Sequence, residues 1–439
     1  MTNVTGFCLS MIAAAVVLPS GGGGDQPAAS GGGAGADTTK LERLAATNGG
    51  ERAGLGGGDP ALGFSFAGPG EGAFRVDNRV QLAWTHTSEA GAGRPSNSSF
   101  SVRRARTALS GHLNDPRVTY KVQLDWAGGG SDNLRDAWLD WTFREARNGD
   151  VISLRVGQQK PRHGKEFTGS SAFLEHTKRS VASETFSGNR VLGAFLHGTH
   201  LDGDLLHWWA GAGNNDPAGA STVQEAGLTA NPDNALSYYF DVHLDPFGDV
   251  GEDSYVQADL DHSSTWRGTV GASLLVGNFQ PTGTAATLTG GADVETTSAN
   301  AYSAWHLNGW SFLGEMFIRS DDSDFQGVES DSQGYAVGGG VVTAPREEGG
   351  PQWGLAARWS MVDQDDGPLA MAGGPIAALG NTLGVGNLGK VEELQATITR
   401  YHRANNLKTQ LSYRFTEVTP EGASAAELHF IDVLFQWVF

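Results

Sequence analysis

The stretch Ile431-Asp-Val-Leu-Phe-Gln-Trp-Val-Phe439 decides the fold. Read as a strand, it sends Ile431, Val433, Phe435, Trp437 and Phe439 to one face. Asp432, Leu434, Gln436 and Val438 go to the other. An exposed Trp-x-Phe end has nothing to bury it in a soluble protein. A transmembrane β-barrel sets that stripe against lipid and pairs its last strand with its first, so no open edge remains. The expected class is all-β: a transmembrane antiparallel β-barrel, serving as a pore or as a barrel enzyme.

Upstream, the same pattern recurs. From residue 73 onward, segments of about ten residues alternate apolar and polar, the length a tilted strand needs to cross the hydrocarbon layer. In one, Val118, Tyr120, Val122, Leu124 and Trp126 oppose Thr119, Lys121, Gln123 and Asp125. In the next, Ala137, Leu139, Trp141 and Phe143 oppose Asp136, Trp138, Asp140 and Thr142. Aromatics cluster near segment ends, where an interfacial girdle belongs. The readable strands are 73–87, 99–113, 117–126, 134–143, 151–159, 190–199, 205–212, 235–244, 254–262, 266–276, 295–307, 311–319, 333–342, 352–362, 391–402, 407–415 and 428–439. Their number is odd, whereas single-chain bacterial barrels have an even count. Assigning 254–262 to a periplasmic connection restores the alternation of short turns and long outer loops, and predicts about 16 strands.

Composition agrees. The chain has 439 residues, 63 of them Gly, with a formal charge of −19. The longest apolar run, Met11–Leu18, is far short of the roughly 20 residues of a spanning helix. Residues 1–30 read as an export signal lacking a basic n-region, with a short buried helix as the plain alternative. Cys8, the one cysteine, lies in that segment, which removes thiol chemistry from the mature chain. Residues 31–72 are rich in Gly, Ala and Ser and read as a flexible tether; Lys40–Ala46 could form one or two helical turns. Residues 73–439 then make the barrel.

The connection 160–189 is long enough to fold into the lumen as a constriction loop, and opens with Lys160, Arg162, His163 and Lys165. VRRAR at 102–106, a glycine at 111, DNLRDAWLD at 132–140, LRVGQQKPRHGKEF at 154–167 and NRVLG at 189–193 follow in series. In this order and spacing they resemble the phosphate-selective porins O and P, sixteen-stranded trimeric channels of the bacterial outer membrane. The likeness is close over residues 73–200 and in the terminal aromatic strand. It implies passive diffusion of small hydrophilic solutes, anions such as phosphate among them, and a homotrimer in membrane lipid. It also implies that the barrel-assembly machinery engages Phe439. No cofactor and no nucleic acid is expected. By motif, Arg79, Arg103, Arg104, Asp136 and Arg190 correspond to wall positions of an arginine ladder. Lys160, Arg162 and Lys165 fall in or beside the constriction loop.

The residues themselves point the same way. An oxyanion in a narrow pore must replace lost water with donors, which guanidinium groups supply bidentately. Rings of Arg or Lys therefore mark anion pores. Alternation places Arg104 and Arg106 on one face with Lys121 on the polar face of its strand, and Arg103 on the other. Lipid-facing Arg at mid-depth would cost roughly 2–4 kcal/mol, so either a bulge near Val102 turns Arg103 inward or Arg103 sits at the interface. Residues 75–190 carry 18 Lys/Arg against 12 Asp/Glu, whereas residues 191–439 carry 9 against 31. The ladder thus thins in later strands to Arg267, Arg319, Arg346, Arg358, Arg400, Arg403 and Arg414. Acidic groups such as Asp321–Asp324 and Asp363–Asp366 read as outer loops whose field would repel phosphate over about 8 Å.

Plainer roles compete. The arginines could serve as structural partners of Asp125, Asp136 and Asp140, or could touch solute. His163 reads as a solvated loop residue, since no second ligand lies at metal spacing. The acidic clusters read as solvated tips rather than divalent-ion sites, and the tryptophans as girdle, with Trp138 free to meet solute. A lipase-like barrel enzyme would need a Ser/His/acid set, yet no G-x-S-x-G elbow exists. A plugged receptor would need about 22 strands. The further alternatives are a non-selective or cation-preferring channel and, as the outsider, a soluble all-β binding module.

Overall fold

A computed structural model describes residues 64–67, 73–90, 96–112, 115–127, 133–187, 190–201, 205–214, 236–250, 255–279, 293–323, 328–347, 349–364, 388–420 and 424–439. The export signal and most of the tether lie outside the described residues.

Ring strands β2 (Ala73–Ala90), β3 (Asn97–His112), β4 (Val118–Asp125), β5 (Leu134–Glu145), β6 (Val151–Gln159), β7 (Val191–His200), β8 (Leu206–Asn214) and β9 (Ser237–Leu244) form the first half. The second half comprises β10 (Arg267–Phe279), β11 (Val294–Leu307), β12 (Trp310–Ser323), β13 (Val328–Val342), β14 (Gln352–Gln364), β15 (Leu388–Arg403), β16 (Leu407–Pro420) and β17 (Ala426–Val438). Each pairs antiparallel with its sequence neighbours, β9 pairs with β10, and β17 pairs with β2, so the sheet closes. This is the expected closed sixteen-stranded barrel. A short strand β1 (Phe64–Ala67), inside the stretch read as tether, adds to the start of β2 with Phe64 opposite Val76.

The closing seam follows the terminal pattern. Val438 pairs with Arg79, and Asn78 and Phe439 exchange both backbone hydrogen bonds at 2.8 and 2.9 Å. Ile431, Phe435, Trp437 and Phe439 are exposed on the outer face, while Asp432 and Gln436 are buried inside. Gln81 of β2 donates to Gln436 across the seam at 2.5 Å. Hence the lipid-facing surface is a band of single apolar side chains, and the interior is Ser, Thr, Gln and charged groups. Trp266, Trp310, Trp353 and Trp437 are exposed at the rim shared with Phe439, as an aromatic girdle requires.

Residues 255–262 form no strand; they belong to the β9–β10 connection and turn inward, with Tyr255, Ala258 and Leu260 buried. Several strands outrun their sequence pattern. Thus β12 extends to Ser323, which corrects the reading of Asp321 as a loop tip: it is a buried wall residue bonded by Arg319 Nε at 2.9 Å. Asp365 and Asp366 lie outside the described residues.

Candidate functional site

The described part of the connection, residues 160–187, lies within the ring, since its groups meet strands on many sides. Arg79 of β2 reaches Ser170 Oγ at 3.1 Å, Lys408 of β16 donates to Leu174 O at 2.7 Å, and Gln436 of β17 donates to Ala172 O at 3.1 Å. It holds two short helices, α1 (Lys165–Thr168) and α2 (Val181–Phe186). Ser180 caps α2 by accepting from Ser183 N at 3.0 Å. The α2 residues Val181, Ala182 and Phe186 pack on Phe317, Ala336 and Val362, an apolar patch inside an otherwise wet wall. Gly164 enters α1 at φ 90°, where a Cβ would lie 2.3 Å from Ser187 Oγ and 3.1 Å from the Phe317 ring. Only glycine fits that turn.

His163 corrects the solvated-loop reading. It is fully buried, with Nδ1 3.0 Å from Ser273 Oγ of β10 and Nε2 2.9 Å from Ser298 Oγ of β11. Burial pushes its pKa from 6.5 down to about 3, so it is a neutral anchor. Glu166 anchors the opposite side. Its carboxylate accepts from Ser180 N at 2.9 Å, from Gln257 Nε2 at 2.9 Å and from Arg358 Nη1 of β14 at 2.7 Å. Gln257 lies in the β9–β10 connection and also donates its N–H to Phe173 O at 3.2 Å, so the two inward segments are bonded together.

The basic residues singled out by sequence fall into three settings. The first is the wall of β2 and β3. Arg79 stands opposite Arg106, and Gln81 stands opposite Arg104 and accepts from its Nη1 at 2.8 Å. The next pair is Leu82 with Val102, which leaves Arg103 as the extra residue of a β-bulge. Below the bulge the even positions Arg104, Arg106 and Ala108 turn inward; above it the even positions Phe100 and Val102 are exposed outside. Arg103 is thereby brought to the inner side, where Glu184 of α2, Asp432 and Arg414 are its charged neighbours. The bulge, not an interfacial position, answers the choice that alternation left open.

The second setting is a row of ion pairs along β3–β5. Arg106 Nε donates to Asp125 Oδ2 at 2.7 Å, and Arg190 Nε to Asp136 Oδ1 at 2.7 Å. Lys121 Nζ lies 3.9 Å from Asp136 Oδ2. The third is the loop itself. Lys160 Nζ donates to the carbonyls of Phe167, Thr168 and Gly169 at 2.8 to 3.2 Å, so its three donors are used in holding the loop. Burial, with Arg179 and Arg190 near, pushes its pKa well down. Arg162 stacks 4.5 Å over the Trp209 ring, and Lys165 stands 5.7 Å from the Tyr255 ring centre.

Some participants were not foreseen. Arg155 lies between Trp138 at 4.1 Å and Trp209 at 4.8 Å while donating to Asp140 at 2.6 Å. Arg179 donates from the loop to Glu166 O and Gly169 O. Inward alternation marks Arg155 in the sequence; nothing local marks Arg179. In the later strands, arginines meet carboxylates: Arg358 meets Glu166 and Glu393, and Arg414 meets Glu393 at 3.3 Å. Arg104 differs. The charges that act most on it are Arg103, Arg106, Arg179 and Arg79, all cationic. A cleft beside this group is lined by Arg75, Arg79, Arg106, Gln123 and Phe173.

Residues 74–232 match the family model described as phosphate-selective porin O and P, which bears out the resemblance over that stretch. The fold is similar to that of the outer-membrane channel DcaP of Acinetobacter baumannii, at 12% identity and TM-score 0.55, covering 85% of this chain and 99% of that one. It is also similar to Pseudomonas putida OprB, at 10% identity and TM-score 0.52, covering 84% and 94% of the two chains. The anion-selective porin from Comamonas acidovorans gives 10% identity and TM-score 0.52, with 84% and 100% covered. No curated protein matches the sequence. Family match and sixteen-stranded barrel are together those of a bacterial outer-membrane channel for small solutes.

Proposed function

We propose that this channel passes small hydrophilic solutes passively and favours anions, phosphate among them, with the arginine group around Arg104 as its selective element. The observation that carries this reading is the company Arg104 keeps: four further arginines dominate its electrostatic surroundings. Clustered like charges in a low-dielectric wall repel one another and attract a counter-anion. Planar guanidinium donors suit an oxyanion that has shed part of its water. Arg79, Arg103, Arg104, Arg106 and Lys121 on the wall act with Arg162, Lys165 and Arg190, while Asp136 tempers the field and Lys160 holds the loop. The loop 160–189 serves as the constriction. The family resemblance supports a homotrimer in lipid and recognition of Phe439 by the barrel-assembly machinery.

The test is the reversal potential of the purified chain in a planar bilayer under a potassium chloride gradient, with and without phosphate. An anion-directed potential that moves toward the cation side in the Arg79→Gln/Arg104→Gln double variant supports the reading. Equal cation and anion permeability in the unaltered chain would overturn it.

A further inference from the structure

At the rim shared with Phe439, three side chains converge that the transport reading does not use. His207 of β8 and His243 of β9 stand directly opposite each other, and Asp245 follows β9 by one residue. All three are buried, at 4%, 2% and 4% exposure. One potential ligand atom from each lies within 4.8 Å of the others. His207 Nε2 is 3.2 Å from Asp245 Oδ2, about the separation of two ligands on one tetrahedral ion with bonds near 2.0–2.1 Å. The two rings stack at 4.8 Å, only 5° from parallel.

The surroundings prepare His243 for this task. Asp241 Oδ1 lies 2.9 Å from His243 Nδ1, and Tyr302 Oη donates to Asp241 Oδ2 at 2.8 Å. The carboxylate can only accept, so Nδ1 is the donor of that bond and Nε2 is the nitrogen that faces a cation. Nε2 is buried and meets no hydrogen-bond partner among the described residues. Metal-bound imidazoles commonly donate their other ring N–H to a carboxylate, as His243 does to Asp241. Two imidazoles and one carboxylate match the catalytic zinc type of donor set, with a fourth position left for water. Asp241 and Asp245 together balance a double positive charge.

We infer that His207, His243 and Asp245 bind one divalent cation of the zinc class, with Asp241 as a positioning residue. The rings stand nearly parallel without the ion, so binding turns them out of the stack until their in-plane lone pairs and the Asp245 carboxylate meet at one point. The ion then ties the ends of β8 and β9 to the start of the inward β9–β10 connection. Lys165 adds a positive charge near Asp245, after His207 and His243, and so opposes an entering cation.

The experiment uses the untagged full chain, folded in detergent and stripped with chelator, titrated with cobalt(II) and then competed with zinc(II). The expected result is one ion per chain with a visible cobalt spectrum of low coordination number. His243→Gln and Asp245→Asn should abolish it, Asp241→Asn should weaken affinity about ten- to hundredfold, and Lys165→Gln should tighten it. Should a variant lose its heat-modifiable barrel band, zinc protection of His207 and His243 from imidazole acylation in the unaltered chain decides instead. Absence of saturable binding, undiminished binding in the ligand variants, or no protection would overturn the assignment.

Discussion

Glu166 and Arg358 meet at 2.7 Å in the interior, both almost without exposure, although 192 residues separate them in sequence. The pair fixes the inward loop to β14. Removing one partner of such a pair leaves the other charge buried without full compensation, at about 3–5 kcal/mol. Glu166→Gln should lower the heat-modification midpoint and increase open-channel current noise, as the loop detaches from Arg358 and Gln257. An unchanged midpoint and a quiet trace would show that the remaining bonds suffice.

The outer face can be tested at Leu394, midway along β15 and 53% exposed, between buried Glu393 and Gln395. Leu394→Arg sets a charge against lipid at mid-depth, which costs about 2–4 kcal/mol. Urea unfolding in lipid vesicles should report a loss in that range, whereas Gln395→Leu, on the inner face, should leave insertion intact. No loss at Leu394 would mean that this stripe does not meet the hydrocarbon.

A pH effect follows from Glu175 in the loop. Burial raises its pKa from 4.5 to about 7, with Ser311 Oγ donating to it at 2.7 Å. Between those values the folded chain holds a proton that the unfolded chain has released, so stability is full near pH 4.5 and falls as pH rises to about 7. His163 acts oppositely: its stability is full above 6.5 and is lost as pH falls toward 3. The difference in melting temperature between Glu175→Gln and the unaltered chain should therefore widen in favour of the variant from pH 4.5 to 7. A constant difference would refute the buried-acid assignment.

Arg104→Gln removes the centre of the arginine group while Arg106 keeps Asp125. Anion preference should drop severalfold with conductance changed less, read as a reversal-potential shift at low salt that shrinks as salt rises. A shift equal at both salt levels would point to altered pore width instead of charge.

The wall was legible in the sequence because period-two alternation is a local signal: all sixteen ring strands coincide with readable segments, and parity removed 254–262. The bulge at Arg103 was half legible, since lipid-facing arginine is costly and one of two remedies had to apply. The environments of His163 and Asp321 were not. His163 is set by Ser273 and Ser298 on distant strands, and Asp321 by the continuation of β12 past its apolar pattern. Likewise, no short motif announces that Glu166 binds both Gln257 and Arg358.

The extra residue in β3 has an electrical consequence. Regular pleating spaces same-side charges two residues apart, about 6.6 Å along a strand, so a wall built only of ideal strands has a ceiling on linear charge density. Seating Arg103 and Arg104 consecutively on one side breaks that ceiling at a single height. Potential along the axis then acquires a sharp step instead of a gentle slope, and a permeating ion would feel selection over one narrow level of its path.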